Sequence, residues 1–284
     1  MIRGADYHFS GMTLVKHYIR NYVMDKTSIV RPNVAICCVS SRDTSFILAK
    51  FLVNQQEIQH TYQLCNLLMA TTDIEYAIEL RKEMVLYQLR AEVITYETVK
   101  PDYAESRSWN VACGREALRK YAISSEADYL LILDTDMLYE TSIIDKLILE
   151  AQNYDIVFSG YRARIWNTLT FGAGCLLIKR KIYEKIPFRC IEFKNKVVIQ
   201  EDELFEMDSF RAFARVKKGI FMANKHYRNK DEYFSISPGS VRLIRKLTTK
   251  PIVRYLLIKI EILLRCRIAD KIYSLLLRKS LITV

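Results

Sequence analysis

Glycine and proline are scarce in this chain, eight and five among 284 residues. That excludes a collagen-like or repetitive linker-rich protein and leaves little room for low-complexity segments. The seven cysteines (37, 38, 65, 113, 175, 190 and 266) form no Cys-x-x-Cys pair and are odd in number. They therefore read as small buried apolar residues of a reducing compartment, with neither a disulfide framework nor a zinc knuckle. A Gly-x-x-x-x-Gly-Lys phosphate loop is missing, and Gly172-Ala-Gly174 is too short of glycine for a dinucleotide fingerprint. The N-terminus shows no secretory signal, because Arg3, Asp6 and His8 interrupt it, so a cytoplasmic location is expected.

What is present is an ordinary folding composition, 50% hydrophobic and 26% charged, with a formal net charge of +11 that is unevenly spread. Residues 241–284 hold eleven Lys or Arg against Glu261 and Asp270, a net of +9, so the rest of the chain shares +2. From Ile252 apolar residues recur at 253, 256, 257, 260, 263 and 264, with Arg254, Glu261 and Arg265 opposite. This pattern predicts a basic amphipathic helical tail that either lies on an anionic membrane surface or packs on the preceding domain. Its longest apolar run, Tyr255 to Ile258, is far short of the ~20 residues that span a bilayer.

Ahead of the tail the pattern alternates. Residues 1–32 are expected to be an N-terminal extension with a helix around Met12 to Val23. Strands are expected at 34–39, 62–69, 92–95, 129–133, 155–158 and 175–178. Helices are expected at 44–55, 74–90, 108–124, 141–151, 180–186 and from Glu201, with Asp43 or Thr44 capping the first. Such alternation implies an α/β domain over 33–240, a mainly parallel sheet flanked by helices. Ligands of such sheets collect beyond the carboxyl ends of the strands.

Asp134 and Asp136 sit at one such end, after the apolar run Leu130 to Leu133. If extended geometry persists to 136, both carboxylates project to the same side. Two anions held together call for a cation, and a hard divalent ion, Mn2+ or Mg2+, suits oxygen ligands and leaves positions for substrate phosphates. A strand-end acid also serves as a cap or an ion-pair partner. Glu201-Asp202-Glu203 opens a helix, where acids suit the dipole and where a carboxylate can equally act as a general base.

Four pieces in order resemble the nucleotide-diphospho-sugar glycosyltransferases of the GT-A fold, family-2-like, over residues 33–228. They are the first strand with Ser41, Arg42 and Asp43; Arg107-Ser-Trp-Asn110 leading to Asp134-Thr-Asp136; Gly172-Ala-Gly174 with its following strand; and Glu201-Asp202 followed by His226. The resemblance implies a metal-dependent sugar transfer from a nucleotide-diphospho-sugar donor to a hydroxyl of a glycan or lipid-linked acceptor, with inversion expected and retention left open. It implies Asp134, Asp136 and His226 for the metal, and Asp202 as the base with Glu201 as its substitute. Ser41, Arg42, Asp73, Arg107, Asn110, Asp134, Gly172 and Gly174 would then contact the donor. One departure affects base recognition: Cys65 to Met69 is largely apolar where relatives carry acids, leaving only Asp73.

Two rival readings come from other classes. A non-catalytic peripheral membrane or nucleic-acid-binding protein would act through the basic tail, with nucleic acid the weaker choice. A haloacid-dehalogenase-type phosphatase would use Asp134 as a nucleophile, but Leu138 stands where that motif needs Thr or Val, and the motif normally ends the first strand. A position on the inner face of a membrane follows if the tail binds lipid.

Overall fold

The computed structural model describes residues 31–98, 107–162, 169–193 and 196–236. The expected N-terminal helix and the amphipathic tail lie outside the described residues. Strands β1 (Val34–Val39), β2 (Cys65–Thr71), β3 (Ala91–Thr95) and β4 (Tyr129–Leu133) are mutually parallel, in spatial order β3, β2, β1, β4. Helices α1 (Leu48–Thr61), α2 (Ile74–Leu86) and α3 (Arg107–Ser124) intervene between them in the chain. This is the expected α/β architecture.

The sheet continues through a strand that the sequence reading did not orient. After β5 (Met137–Tyr139), α4 (Ile143–Ala151), β6 (Ile156–Arg162) and β7 (Leu169–Thr170) comes β8 (Cys175–Lys179), which inserts antiparallel between β4 and β6. Its amino end therefore lies where β4 and β6 have their carboxyl ends. Helix α5 (Arg180–Tyr183), the hairpin β9 (Ile191–Phe193) and β10 (Lys196–Ile199), and α6 (Glu201–Arg211) follow. Strand β11 (Val216–Phe221) then runs parallel to β6 at the edge, with a register shift between Lys217 and Ile220. Strands β12 (Asn224–Tyr227) and β13 (Tyr233–Ile236) form a separate small sheet with β5.

Alternation along each strand divides the core between the two faces of the sheet. Ile36, Cys38, Leu131, Leu133, Cys175 and Leu177 pack with Phe51, Leu52, Leu80 and Ile144, and Cys37, Leu130, Ile132, Leu176 and Ile178 pack with Leu118, Tyr183 and Phe205. Cys37, Cys38, Cys65, Cys175 and Cys190 are free and buried, which fits their reading as small apolar residues. Among the described residues no helix is long and apolar enough to cross a membrane.

Local chemistry moves several boundaries. The first helical segment opens as a 3-10 turn, Arg42–Ile47, whose N-cap is Ser41, and neither Asp43 nor Thr44 caps it. The Thr44 hydroxyl instead donates back to the Ser41 carbonyl at 3.0 Å. Strand β4 stops at Leu133, so extended geometry does not reach Asp136. A turn closes instead, with Met137 N–H donating to the Asp134 carbonyl at 3.3 Å.

Candidate active site

The turn after β4 gives the two acids different partners. Asp134 Oδ1 accepts from Arg115 Nη2 at 3.1 Å, whereas Asp136 Oδ1 lies 3.4 Å from His226 Nε2. Arg115 comes from the middle of α3, and His226 is placed because β12 pairs antiparallel with β5, setting His226 opposite Met137. Tyr227 N–H donates to the Asp136 carbonyl at 2.8 Å and ties the two segments together. Burial pushes the Asp134 carboxyl up and Arg115 pulls it down, while the nearby Asp136 adds a further push, so it sits above the ordinary carboxylate value.

The antiparallel course of β8 brings Gly172 and Gly174 to the same edge. A Cβ on Gly174 would stand 2.7 Å from Tyr161 Cζ and 2.9 Å from Asp134 Oδ2; one on Gly172 would stand 2.8 Å from Asp202 Oδ2 and 2.8 Å from Tyr161 Oη. Glycine is required here because two acids and a buried tyrosine crowd the backbone. Tyr139, on β5, holds the same corner: Asp134 N–H donates to its hydroxyl at 3.1 Å, and that hydroxyl donates to the Gly174 carbonyl at 2.5 Å.

The start of α6 completes the cluster. Glu201 is 6% exposed and its Oε1 accepts from Arg115 Nη1 at 2.5 Å. Asp202 is half-buried; its Oδ1 accepts from Glu203 N–H at 2.9 Å and its Oδ2 from Ala173 N–H at 3.4 Å. One guanidinium thus bridges an acid of the β4 turn and an acid of α6. Burial alone would lower the Arg115 pKa, but Glu201, Asp134 and Asp202 together raise it, so its charge is permanent. Burial raises Glu201, with Arg115 opposing.

The remaining sequence-derived residues fall into two groups. Arg107 opens α3 and is exposed, with its charge acting on Asp134. Asn110 lies one turn further along, its carbonyl accepting from the Tyr96 hydroxyl at 2.9 Å and its side-chain Oδ1 buried without a hydrogen-bond partner. Arg42 and Asp73 meet beyond the carboxyl ends of β1 and β2: Arg42 Nε donates to Asp73 Oδ2 at 2.7 Å and Nη1 contacts Glu79 at 3.0 Å. Asp73 also caps α2, accepting from Tyr76 N–H at 2.9 Å. Ser41 is exposed beside them.

Whether these side chains suit a divalent ion turns on His226. Its Nδ1 is 2.7 Å from the Arg162 carbonyl, which accepts and can only face a ring N–H. The Nε2 lone pair of a neutral ring would then confront the Asp136 carboxylate, an arrangement that only a proton or a metal between them relieves. Neighbouring ligands on an octahedral ion stand about 3 Å apart, which the Asp136 and His226 pair approaches. Among the described residues no group of three or more His, Cys, Asp or Glu side chains forms a cage for an ion. Asp136 and His226 therefore fit an ion that completes its shell with ligands from a substrate, and Asp134 is given to Arg115.

Arg115, Tyr161 and Tyr139 were not singled out from the sequence. Arg115 lies among ordinary helix-face charges at 116, 119 and 120, and only the fold distinguishes it. No protein-family model matches this chain, and no curated protein matches it. Solved structures do. The mannosyltransferase PcManGT from Pyrobaculum calidifontis, in complex with GDP-Man and Mn2+, is 12% identical with a TM-score of 0.48, over 75% of this chain and 64% of that one. S. aureus TarS 1-349 in complex with UDP-GlcNAc is 11% identical with a TM-score of 0.48, over 76% and 65%. Glucosyl-3-phosphoglycerate synthase from Mycobacterium tuberculosis, in complex with Mn2+, UDP and phosphoglyceric acid, is 13% identical with a TM-score of 0.45, over 69% and 71%. The likeness is one of fold, and the chain spans a little under two thirds of the first two.

Proposed function

We propose that this chain is a metal-dependent glycosyltransferase that moves a sugar, with inversion, from a nucleoside diphosphate donor to a hydroxyl acceptor. One observation carries the reading: Arg115 joins Asp134 to Glu201 across the edge of the sheet, with Gly172 and Gly174 packed against Asp202 and Asp134. Acids from two separate segments converge with a glycine segment where α/β sheets bind ligands.

In this reading Asp136 and His226 would hold Mn2+ or Mg2+ beside the donor. Such an ion, when bound, would supply charge neutralisation for a departing nucleoside diphosphate. Asp134, fixed by Arg115, orients the donor. Asp202 takes the proton from the acceptor hydroxyl, since its carboxylate is half-buried and faces the Gly172 backbone, whereas Glu201 is committed to Arg115. Arg42, Ser41 and Asp73 line the nucleotide end, and Arg107 and Asn110 flank the phosphates. A glycan or lipid-linked acceptor and a peripheral membrane position through residues 241–284 are part of the same proposal, supported by the segregation of basic charge.

Calorimetry against GDP- and UDP-sugars, with and without Mn2+, tests the reading. The expected result is metal-dependent binding that Asp136→Asn abolishes and that Asp202→Asn keeps while losing transfer. Binding of no nucleotide sugar, together with salt-sensitive vesicle or DNA binding untouched by Asp136→Asn, would favour the non-catalytic alternative.

A further inference from the structure

The edge of the sheet opposite the acids carries an unusual combination. In the pairing of β4 with β8, Leu133 meets Cys175 at the acid end and Tyr129 meets Lys179 at the other, about 13 Å away at strand rise. At that far end Asp155 is surrounded by cations: Lys181 Nζ at 2.7 Å, Arg215 Nε at 3.5 Å and Lys179 Nζ at 3.8 Å. Asp155 is 4% exposed, whereas the Lys181 and Arg215 side chains are 58% and 60% exposed, so the acid is inside and the positive charge outside. Lys181, Lys185 and Phe213 line one shallow pocket there. The remaining acid of the neighbouring short helix, Glu184, is paired with Arg180 at 2.6 Å.

Phe213 is the odd member. It is 92% exposed, and its backbone has φ of 55°. This left-handed position just past a helix C-terminus ordinarily belongs to glycine, and an aromatic residue there is strained. Gln88 and Glu126 also follow helices at positive φ, so what sets Phe213 apart is a large apolar ring left almost wholly in water. Phe210, 44% exposed, lies three residues earlier.

We propose that this edge docks on an anionic phospholipid surface, with Phe213 inserting at the headgroup boundary and Lys181, Lys185 and Arg215 meeting lipid phosphates. An exposed aromatic beside basic side chains is what an interfacial anchor requires. A protein partner would instead meet an aromatic anchor within a packed, water-excluding patch; here the ring stands proud among flexible cations. Docking by this edge turns the acid cluster toward the aqueous side. The surface is independent of the assignment of the catalytic reaction.

The test uses the full chain and vesicles of phosphatidylcholine with or without phosphatidylserine, at the salt concentration where half of the wild type is bound. The basic residues beyond 240 are common to every variant and do not mask a difference. Phe213→Gly is expected to weaken binding about tenfold, the worth of one buried aromatic, while raising the melting temperature because the strain is gone. Lys181→Glu with Lys185→Glu is expected to weaken it at least tenfold. Unchanged binding by Phe213→Gly, equal binding to pure phosphatidylcholine, or no binding by the wild type would overturn the proposal. So would light scattering that shows a wild-type dimer dissociated by Phe213→Gly, since the ring would then belong to a protein interface.

Discussion

Arg115 Nη1 lies 2.5 Å from Glu201 Oε1, a buried contact between residues 86 positions apart that fixes α6 against α3. Because Nη2 of the same guanidinium holds the half-buried Asp134 at 3.1 Å, loss of the arginine leaves Glu201 in the interior, and Asp134 beside it, without a counter-charge. Breaking a buried pair from one side costs about 3–5 kcal/mol, and Arg115→Ala is expected to lose that much in urea denaturation. Arg115→Ala combined with Glu201→Gln should recover part of it. Full additivity of the two changes would show that the contact is energetically silent.

The sequence carried much of this arrangement and missed its centre. Strand β4 was legible to the residue because five apolar positions end on an acid, and the Glu201 helix start was legible from its run of acids. The orientation of β8 was not, since an apolar run bounded by glycine reads alike in either direction. Strands β5, β11, β12 and β13 are short or strongly charged, and Val216 to Ile236 shows no clean period. Asp134 and Asp136 were expected to project together, and the structure departs from that because the turn at 134–136 is set by tertiary contacts of Tyr139 and Tyr227. Arg115 was invisible for the same reason: nothing local marks a helix arginine as the one whose partners arrive from elsewhere.

His226 should report its partner through pH. Burial lowers its pKa, but the bond and charge of Asp136 and the bond to the Arg162 carbonyl outweigh that, so the folded value lies above the ordinary 6.5. A raised value means the proton is bound more tightly in the folded protein, and the associated stability is fully present below pH 6.5 and lost as pH rises through the folded value. His226→Gln is expected to lower the melting temperature most below pH 6.5, with the deficit shrinking at alkaline pH. Mn2+ binding by the wild type should strengthen over the rising range, since the metal must displace that proton. A pH-independent deficit would separate His226 from Asp136.

Gly174 tests the crowding directly. An added methyl would meet the Tyr161 ring at 2.7 Å, and that ring is 9% exposed with little room to swing. Gly174→Ala is expected to cost about 1–3 kcal/mol, the range for overpacking a filled interior. Tyr161→Ala in the same chain should relieve most of the clash while adding its own cavity cost. A melting temperature unchanged by Gly174→Ala would mean that the backbone yields without penalty.

Asp155 offers an acid-range measurement that does not involve the acid cluster around Arg115. Burial pushes its pKa up, yet the bond from Lys181 and those from the Arg215 backbone and side chain pull it down to about 2, below the ordinary 3.8. A depressed value stabilises the folded state above the unfolded pKa, and that contribution is lost as pH falls through the folded one. The difference between 3.8 and about 2 corresponds to about 2 kcal/mol at neutral pH. Asp155→Asn is therefore expected to be about 2 kcal/mol less stable than the wild type near pH 7, with the gap closing between pH 3.8 and about 2. Removing the acid also leaves Lys181 and Arg215 unneutralised at an edge proposed to meet anionic lipid. The same variant should consequently bind phosphatidylserine vesicles more tightly than the wild type while being less stable, a pairing that simple unfolding cannot produce.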